Sequence, residues 1–582
     1  MEYLEDSAGP KEFVLCFDGT GNKFHGDESD SNVLKIFRML DRDDDNQYHY
    51  YQPGIGTYVT SRSLSDTGTV QKVKSAYLKA KASAVGSTFA DHVMGGYKFL
   101  MRYYSPGDKI YFFGFSRGAY VARFLAEMLD YVGLLEMGNE ELVRFAWKTF
   151  AKWQQRRTDS KDYQAEKKQL YDYMTAFRET FSRPVAQIEF LGLFDTVNSV
   201  PRFENAWMQR SRFPYTARTS AKVIRHAVGI DERRAKFRQD LISEVKPTGE
   251  GHHHKSRIRR RFEKHHLHLS HRHHHHDDSN STHETKPDTL EYSVYRPTRP
   301  RRRQNVPEGR RHAIRKDQRT SRAPSQHSGD ETEESAQSAS AESSSISEPG
   351  EEEGDAPQDI EELWFPGCHA DIGGGWKLGN GESWALSHTP LVWMVQEAQA
   401  AGLRFNPAKM HKFNCIPDEP ITPAPAFAPR NDRSSSGDST DSRFQEALRR
   451  SSTDGKMHDC LQLGQGLPAT SVISWKLMEW LPFRRMDLQK DGSWKPIRWP
   501  LPRGEVRDIP RDAQIHVSAI RRMEADEAYR PGNLIVGGGG RGYRRAPKED
   551  GIGKWNVIKH AGCPVRETYL RKDAFDTGVG VH

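Results

Sequence analysis

A serine between two glycines lies where one apolar run of the sequence ends and another begins. The segment GFSRG at 114–118 directly follows the apolar residues 110–113 and directly precedes residues 119–125, which are mostly apolar. A strand that turns sharply into a helix with serine at the apex is a nucleophile elbow, because the strained turn lifts the hydroxyl clear of the sheet. The glycines leave room for the neighbouring strand and helix. The pattern therefore predicts Ser116 as the nucleophile of an acyl-transfer reaction.

The elements around this serine are the ones that such a turn needs. Residues 89–104 carry apolar side chains at helical spacing, and a turn at 105–108 leads into the strand. The bare pattern also marks ordinary helix starts, but the order helix, turn, strand, elbow, helix is that of an α/β-hydrolase. The predicted fold class is α/β: an α/β-hydrolase-like, mostly parallel sheet flanked by helices and interrupted by long disordered insertions.

An aspartate and a histidine follow two later apolar runs. The run 188–194 ends at Asp195, and the run 363–367 is followed by Cys368 and His369. Because parallel strands bring their carboxyl ends to one edge of a sheet, Ser116, Asp195 and His369 are expected to meet there. Their chain order of serine, acid and histidine is that of the hydrolase topology. We therefore predict a triad in which His369 is the base and Asp195 orients it.

Other side chains compete for these roles. The predicted acid could instead cap the segment that follows it. Asp18 and Asp371 are alternative acids, or could hold loops by accepting backbone hydrogen bonds. Among 25 histidines the rivals of His369 are His226, which lies in a predicted structural segment, and His516, which comes late enough in the chain to be catalytic.

A glycine-containing loop is expected near the same edge. The run 13–17 leads into the sequence DGTGN at 18–22. The backbone of such a loop can approach a ligand closely. We predict that Gly19 and Thr20 form one half of an oxyanion hole, and that the N–H of Arg117, the residue after the nucleophile, forms the other.

Composition indicates that the folded part of the chain is discontinuous. Only 35% of the 582 residues are hydrophobic and the mean hydropathy is −0.81. Histidine, arginine, serine and glutamate dominate residues 246–358, and residues 417–455 are also of low complexity, so neither stretch can offset its ordering entropy by burial. The predicted catalytic domain consists of residues 10–245, 359–416 and 456–545, followed by a C-terminal tail at 546–582.

Several partner classes are not expected. The net charge is +7, but the densest positive runs lie in the insertion and at 541–548, and no aromatic platform accompanies them, so no specific nucleic acid is predicted. The five cysteines form no C-x-x-C pair, and the histidine tracts lack the fixed geometry of a metal site, so neither metal nor cofactor is predicted. No secretion signal and no long apolar stretch is present, and the expected location is intracellular and cytoplasmic, with peripheral membrane contact left open.

Together these motifs resemble the catalytic domain family of type VI secretion phospholipase effectors, a group of α/β-hydrolases. The resemblance rests on FDGTGN at 17–22, QPGIGT at 52–57, GD at 107–108, GFSRGA at 114–119, GLFDTV at 192–197, DER at 231–233, PGCHADIGGG at 366–375, and HVS and YRPGNL at 516–518 and 529–534. It covers the predicted folded parts and skips both insertions. It implies Ser116 as nucleophile, Asp195 as acid, His369 as base, and fatty-acyl or phospholipid esters as substrates. The sequence departs from the family pattern at Asn198 and around residues 85–91.

Two hypotheses of different class follow. The first is a serine hydrolase that cleaves carboxylic esters through an acyl-enzyme. The alternative is a catalytically silent, hydrolase-like interaction protein that uses its insertions to bind partners. The presence of all three triad residue types at strand ends favours the enzyme.

Overall fold

The computed structural model describes residues 9–22, 24–54, 87–155, 163–197, 219–242, 358–417, 443–489, 494–540 and 542–572. All of these lie in one compact unit, made of Met1–Pro297 and Gln358–His582, whereas the second unit, Thr298–Pro357, falls outside the described residues. Other parts of the sequence predictions also fall outside them, namely residues 246–297 of the first insertion, 418–442 of the second, 55–57 of the QPGIGT motif, 85–86 and Asn198.

The centre of the described structure is a nine-stranded sheet. Its strands are β1 (Glu12–Phe17), β2 (Gln47–Gln52), β3 (Lys109–Phe115), β6 (Phe190–Phe194), β7 (Val223–Gly229), β8 (Asp359–Phe365), β12 (Gln514–His516), β14 (Trp555–Lys559) and β15 (Thr568–Arg571). Their order across the sheet is β14-β15-β12-β8-β7-β6-β3-β1-β2. The seven strands from β12 to β2 are parallel, and β15 runs antiparallel to both of its neighbours. The prediction of a mostly parallel sheet is confirmed.

The inner strands are continuous apolar runs because both faces of the sheet are covered. Every residue of β1 and of β6 is buried, which is typical of parallel sheets with helices on both sides.

The helices are α1 (Asn32–Met39), α2 (Ser87–Tyr103), α3 (Arg117–Val132), α4 (Val143–Gln155), α5 (Tyr163–Phe181), α6 (His369–Gly373), α7 (His388–Ala400), α8 (Pro407–Lys412), α9 (Arg443–Thr453), α10 (Ala469–Met478), α11 (Val517–Ala525) and α12 (Gly532–Ile535).

Separate apolar cores lie on the two faces of the sheet. Residues of α2, α3, α4 and α5 pack on one face, and residues of α1, α7, α8 and α9 on the other. Short strands pair outside the central sheet: β4 (Leu134–Leu135) with β5 (Ser182–Arg183), β9 (Arg485–Leu488) with β10 (Trp494–Ile497), and β11 (Val506–Ile509) with β13 (Gly538–Gly540). In the described part of the chain, no helix is long and apolar enough to cross a membrane.

Two predicted boundaries were wrong. The second insertion does not extend to residue 455, because α9 buries Phe444, Ala447 and Leu448, three apolar side chains at helical spacing in an otherwise polar segment. The predicted tail at 546–582 contains β14 and β15, which extend the central sheet. The alternation in β15 explains why it escaped detection, since only every second residue is buried.

Candidate active site

Ser116 occupies a sharp turn between β3 and α3. Its backbone is strained, with φ of 59° and ψ of −122°, and α3 begins at the next residue. The glycines on either side are required by close backbone approach: a Cβ on Gly118 would lie 2.1 Å from the carbonyl oxygen of Phe17, and one on Gly114 would lie 2.4 Å from Cα of Ala119. The structure therefore has the strand, turn and helix geometry expected of a nucleophile elbow.

The three predicted triad residues meet at the carboxyl edge of the sheet. Nε2 of His369 lies 2.8 Å from Oγ of Ser116, and its Nδ1 lies 2.5 Å from Oδ2 of Asp195. Asp195 directly follows β6 and has a positive φ of 42°, whereas His369 is the first residue of α6, shortly after β8. All three side chains are buried. The serine, imidazole and carboxylate form one continuous chain of hydrogen bonds.

A buried arginine that sequence reasoning missed holds the carboxylate of Asp195. Arg507 of β11 donates from Nη1 to Oδ1 at 2.6 Å and from Nη2 to Oδ2 at 2.8 Å, and the backbone N–H of Gly229 donates to Oδ1 at 2.9 Å. Burial alone would raise the pKa of Asp195, but the charge and hydrogen bonds of Arg507, with the hydrogen bond from His369, hold this pKa well below its usual range. Asp195 is therefore ionised at any pH near neutrality.

His369 lies between two aromatic rings. Its ring centre is 4.8 Å from that of Phe115 and 4.7 Å from that of Phe237. Burial lowers the pKa of His369 below its ordinary value, against the opposing effect of the hydrogen bond and charge of Asp195. The imidazole is thus neutral at neutral pH, the state in which it can accept a proton.

The DER motif at 231–233 supports the backbone of His369. Oε2 of Glu232 accepts the N–H of His369 at 3.2 Å and the side chain of Arg234 at 2.8 Å. Although burial would raise it, the pKa of Glu232 is lowered to about 2 by the charge and hydrogen bonds of Arg234. This buried ion pair fixes the start of α6.

The rival histidines make their hydrogen bonds elsewhere. Nε2 of His226 accepts the N–H of Thr196 at 3.1 Å, and its Nδ1 lies 2.7 Å from Glu362, so it holds the loop after Asp195. His516 caps α11, and its Nε2 lies 2.7 Å from the carbonyl oxygen of Val565. Burial lowers the pKa of His516 to about 3. Both geometries suit structural side chains.

Asp18 holds the glycine loop that follows β1. Its carboxylate accepts hydrogen bonds from the N–H of Gly19 at 2.6 Å, from Asn22 at 2.9 Å, from Ser31 at 2.6 Å and from Tyr51 at 2.7 Å. Burial raises the pKa of Asp18, while these donors oppose the rise. Because the N–H of Gly19 is directed to this carboxylate, the structure does not support Gly19 as an oxyanion donor.

A side-chain hydrogen bond joins Thr20 and Arg117, the other two residues of the predicted oxyanion hole. Nε of Arg117 donates a hydrogen bond to Oγ1 of Thr20, which links the loop after β1 to the start of α3. The N–H groups in the first turn of a helix have no intrahelical acceptor and face its N-terminal end, where Ser116 lies. These two residues are the remaining candidates for the oxyanion hole.

Asp371 supports the loop around the histidine. Its carboxylate accepts the N–H of Cys368 at 2.9 Å and the N–H of His458 at 2.9 Å, and it lies 2.7 Å from Nδ1 of His458. The ring of His458 stacks on Trp376 with centroids 4.4 Å apart. Asp371 is thus a loop-holding residue, one of the two roles considered for it. Within the described ranges, no group of three or more histidine, cysteine or acidic side chains is arranged to hold a metal ion.

Comparison with protein-family models relates the chain to a known family. The family model described as "T6SS, Phospholipase effector Tle1-like, catalytic domain" matches residues 11–397. Uncharacterized protein YEL023C of Saccharomyces cerevisiae is 29% identical over 587 residues, which cover 91% of this chain and 81% of the yeast protein.

Two solved structures are distant matches. An uncharacterized protein from Pseudomonas aeruginosa is 17% identical with a TM-score of 0.28, and the match covers 69% of this chain and 48% of that one. The Tle1 effector bound to the VgrG spike of the type VI secretion system is 18% identical with a TM-score of 0.22, covering 41% and 49%. The match thus spans about half the length of each solved chain.

Proposed function

We propose that this chain, which belongs to the family of type VI secretion phospholipase effector Tle1-like catalytic domains, is a serine hydrolase that cleaves carboxylic esters of lipids. The family description suggests lipase or phospholipase activity. The observation that carries the proposal is the hydrogen-bonded chain from the strained Ser116 through His369 to Asp195, with distances of 2.8 and 2.5 Å. We further propose that the sheet is that of an α/β-hydrolase, because the three residues follow β3, β6 and β8 in the order serine, acid, histidine.

The proposed reaction begins with proton transfer. Nε2 of the neutral His369 accepts the proton of the Ser116 hydroxyl as Oγ attacks the ester carbonyl carbon. The N–H groups of Arg117 and Thr20 then stabilise the negative oxygen of the tetrahedral intermediate. When that intermediate collapses, His369 returns the proton to the departing alcohol and Ser116 carries the acyl group. Water, deprotonated by His369, releases the acid and restores the serine.

Asp195 and Arg507 act together behind the imidazole. Asp195 accepts a hydrogen bond from Nδ1–H, so Nε2 faces Ser116 as the basic nitrogen, and the carboxylate stabilises the imidazolium that forms. Arg507 bonds to the carboxylate of Asp195 and acts on the imidazole through it, so we assign it as a positioning residue. It fixes both oxygens of Asp195 and keeps the buried carboxylate ionised.

Labelling with a fluorophosphonate probe tests the proposal without knowledge of the substrate. The probe reacts with an activated serine, and we expect the full-length protein to be labelled and Ser116→Ala not to be labelled. Ser518→Ala is a matched control, because Ser518 is another buried serine that contacts a histidine, His516. Absence of labelling in the folded wild-type protein would reject the hydrolase and favour the silent interaction protein.

A further inference from the structure

Helix α10 presents apolar side chains to solvent beside the proposed site. Ile473, Leu477 and Trp480 are 55%, 65% and 57% exposed. Spacings of four and three residues place them on one side of the helix and the turn that follows it, where the N–H of Trp480 donates to the carbonyl oxygen of Leu477. Large apolar side chains grouped in this way typically mark a site of interaction with a protein or membrane. We call these three residues the α10 face.

The surroundings of the α10 face are cationic. A hollow of about 520 Å³ beside Trp480 is lined by four basic side chains, those of Arg233, Lys476, Arg503 and Arg544. The guanidinium of Arg503 lies 4.7 Å from the ring centre of Trp480. The carboxylate that lines the same hollow, Glu479, is buried and accepts the backbone N–H groups of Ala235 and Gly504. Arg233 and Arg544 are paired with Asp459, whereas Lys476 and Arg503 are exposed and supply the outward positive charge beside the apolar side chains.

The inner side of α10 reaches the proposed catalytic base through aromatic rings. Trp475 contacts Phe237 with ring centres 5.5 Å apart, and Phe237 contacts His369 with ring centres 4.7 Å apart. Arg234 lies over both Phe237 and Trp475, at 3.7 and 4.9 Å from their ring centres. Only two aromatic side chains thus separate the backbone of α10 from the imidazole.

We propose that the α10 face inserts into the surface of an anionic lipid bilayer and brings the triad to ester substrates held there. The delivery of substrates to the triad rests on the proposed function, whereas binding of the α10 face to the bilayer does not. Apolar side chains on a short helix that is flanked by lysine and arginine favour the boundary between head groups and acyl chains, where both the apolar area and the positive charge are satisfied. A small, freely dissolved ester would gain nothing from either feature.

Vesicle sedimentation with the full-length Ser116→Ala protein measures this binding without hydrolysis. We expect it to sediment with phosphatidylcholine vesicles that contain phosphatidylglycerol, and much less with pure phosphatidylcholine. Ile473→Ser combined with Leu477→Ser should lower the partition coefficient about tenfold or more, because two apolar side chains lose their buried area. Phe145→Ser is the matched control, since Phe145 of α4 is 57% exposed and lies outside the face.

A second pair of variants tests the charge. Lys476→Gln combined with Arg503→Gln should abolish the preference for phosphatidylglycerol, and added salt should have the same effect on the parent protein. Two results would overturn the proposal. The Ser116→Ala protein could fail to sediment with the vesicles, or the Ile473 and Leu477 double variant could sediment equally well with an unchanged unfolding temperature. The first of these results would indicate that an acidic protein or another part of the chain covers the face. Loss of probe labelling in the wild type would reject the proposed hydrolase and leave the vesicle result intact.

Discussion

Replacement of Arg507 by methionine tests whether this buried guanidinium controls the charge of Asp195. Two charge-assisted hydrogen bonds, at 2.6 and 2.8 Å, would be lost between side chains that are both 0% exposed. Hydrogen bonds to charged groups contribute about 1.5–3 kcal/mol each. Their sum agrees with the roughly 3–5 kcal/mol cost of removing one partner of a buried ion pair and leaving the other charge unpaired. We therefore expect Arg507→Met to lower the free energy of unfolding by about 3–5 kcal/mol near neutral pH.

The loss should depend on pH, and its sign follows from the pKa of Asp195. In the wild type this pKa is depressed, so the stabilisation is fully present above the unfolded pKa of about 3.9 and is lost as pH falls through the lower folded value. Without Arg507, burial dominates and raises the pKa above that of the unfolded chain, so the variant loses stability as pH rises through the raised value. The difference in unfolding temperature between wild type and variant should consequently shrink in mildly acidic buffer.

The rate of probe labelling supplies the readout of the triad itself. The labelling rate falls as pH is lowered, and we call this fall the acid limb. Removal of a positive charge favours protonation of both Asp195 and His369, so the acid limb should move to higher pH in Arg507→Met. Arg507→Lys keeps the charge but loses the two-pronged contact, and its acid limb should stay near that of the wild type. Arg225→Met is the control, because Arg225 forms a buried pair with Glu397 at 2.6 Å and should cost stability without moving the limb. A destabilisation of equal size at all pH values, with an unmoved limb, would refute the reasoning.

Further predictions concern the elbow and the base. Ser116→Ala should remove labelling and ester hydrolysis while changing the free energy of unfolding by less than about 1 kcal/mol, measured by denaturant titration. His369→Ala should lower turnover about 10³-fold or more, whereas His516→Ala should chiefly lower the unfolding temperature; the opposite pattern would move the base to His516. Wild-type turnover should fall with pH only below the ordinary histidine pKa of about 6.5, because burial lowers that of His369. Gly118→Ala should prevent folding or cost more than about 3 kcal/mol, while Gly9→Ala, whose Cβ would meet nothing within 4 Å, should fold normally.

Local signals in the sequence were sufficient for the parts of the site that follow strands. Ser116, Asp195 and His369 each come shortly after an apolar run, and a parallel sheet brings such positions together whatever lies between them in the chain. This is why a prediction that treated residues 246–358 as an insertion could still bring His369 to the same edge as Ser116 and Asp195. The role of the elbow glycines could also be predicted from the sequence, because each makes a close backbone contact within a few residues of the serine or with the adjacent strand.

Features that depend on pairing between distant segments carried no such signal. The oxyanion role of Gly19 is not supported for a local reason instead: its N–H is directed to the side chain of Asp18, the preceding residue, for which a loop-holding role was left open. Neither β14 nor β15 is a continuous buried run, and their place at the sheet edge is visible only once β12 offers a partner to β15. The helix α9 likewise shows three apolar residues in a polar context, and its burial depends on the core that it meets.

Arg507 shows most clearly why the charge state of the site required the structure. In the sequence it is one of 86 basic residues, in a short strand that pairs with a glycine-rich strand, and nothing nearby marks it as buried. Its burial follows from Asp195, 312 positions earlier, because a guanidinium without a counter-charge would not remain in the interior. The dependence is mutual, since the carboxylate would otherwise favour its protonated form. The last third of the chain therefore completes a site whose proposed nucleophile, acid and base all precede it, and truncation before β11 should leave these three residues without the charge that keeps Asp195 ionised.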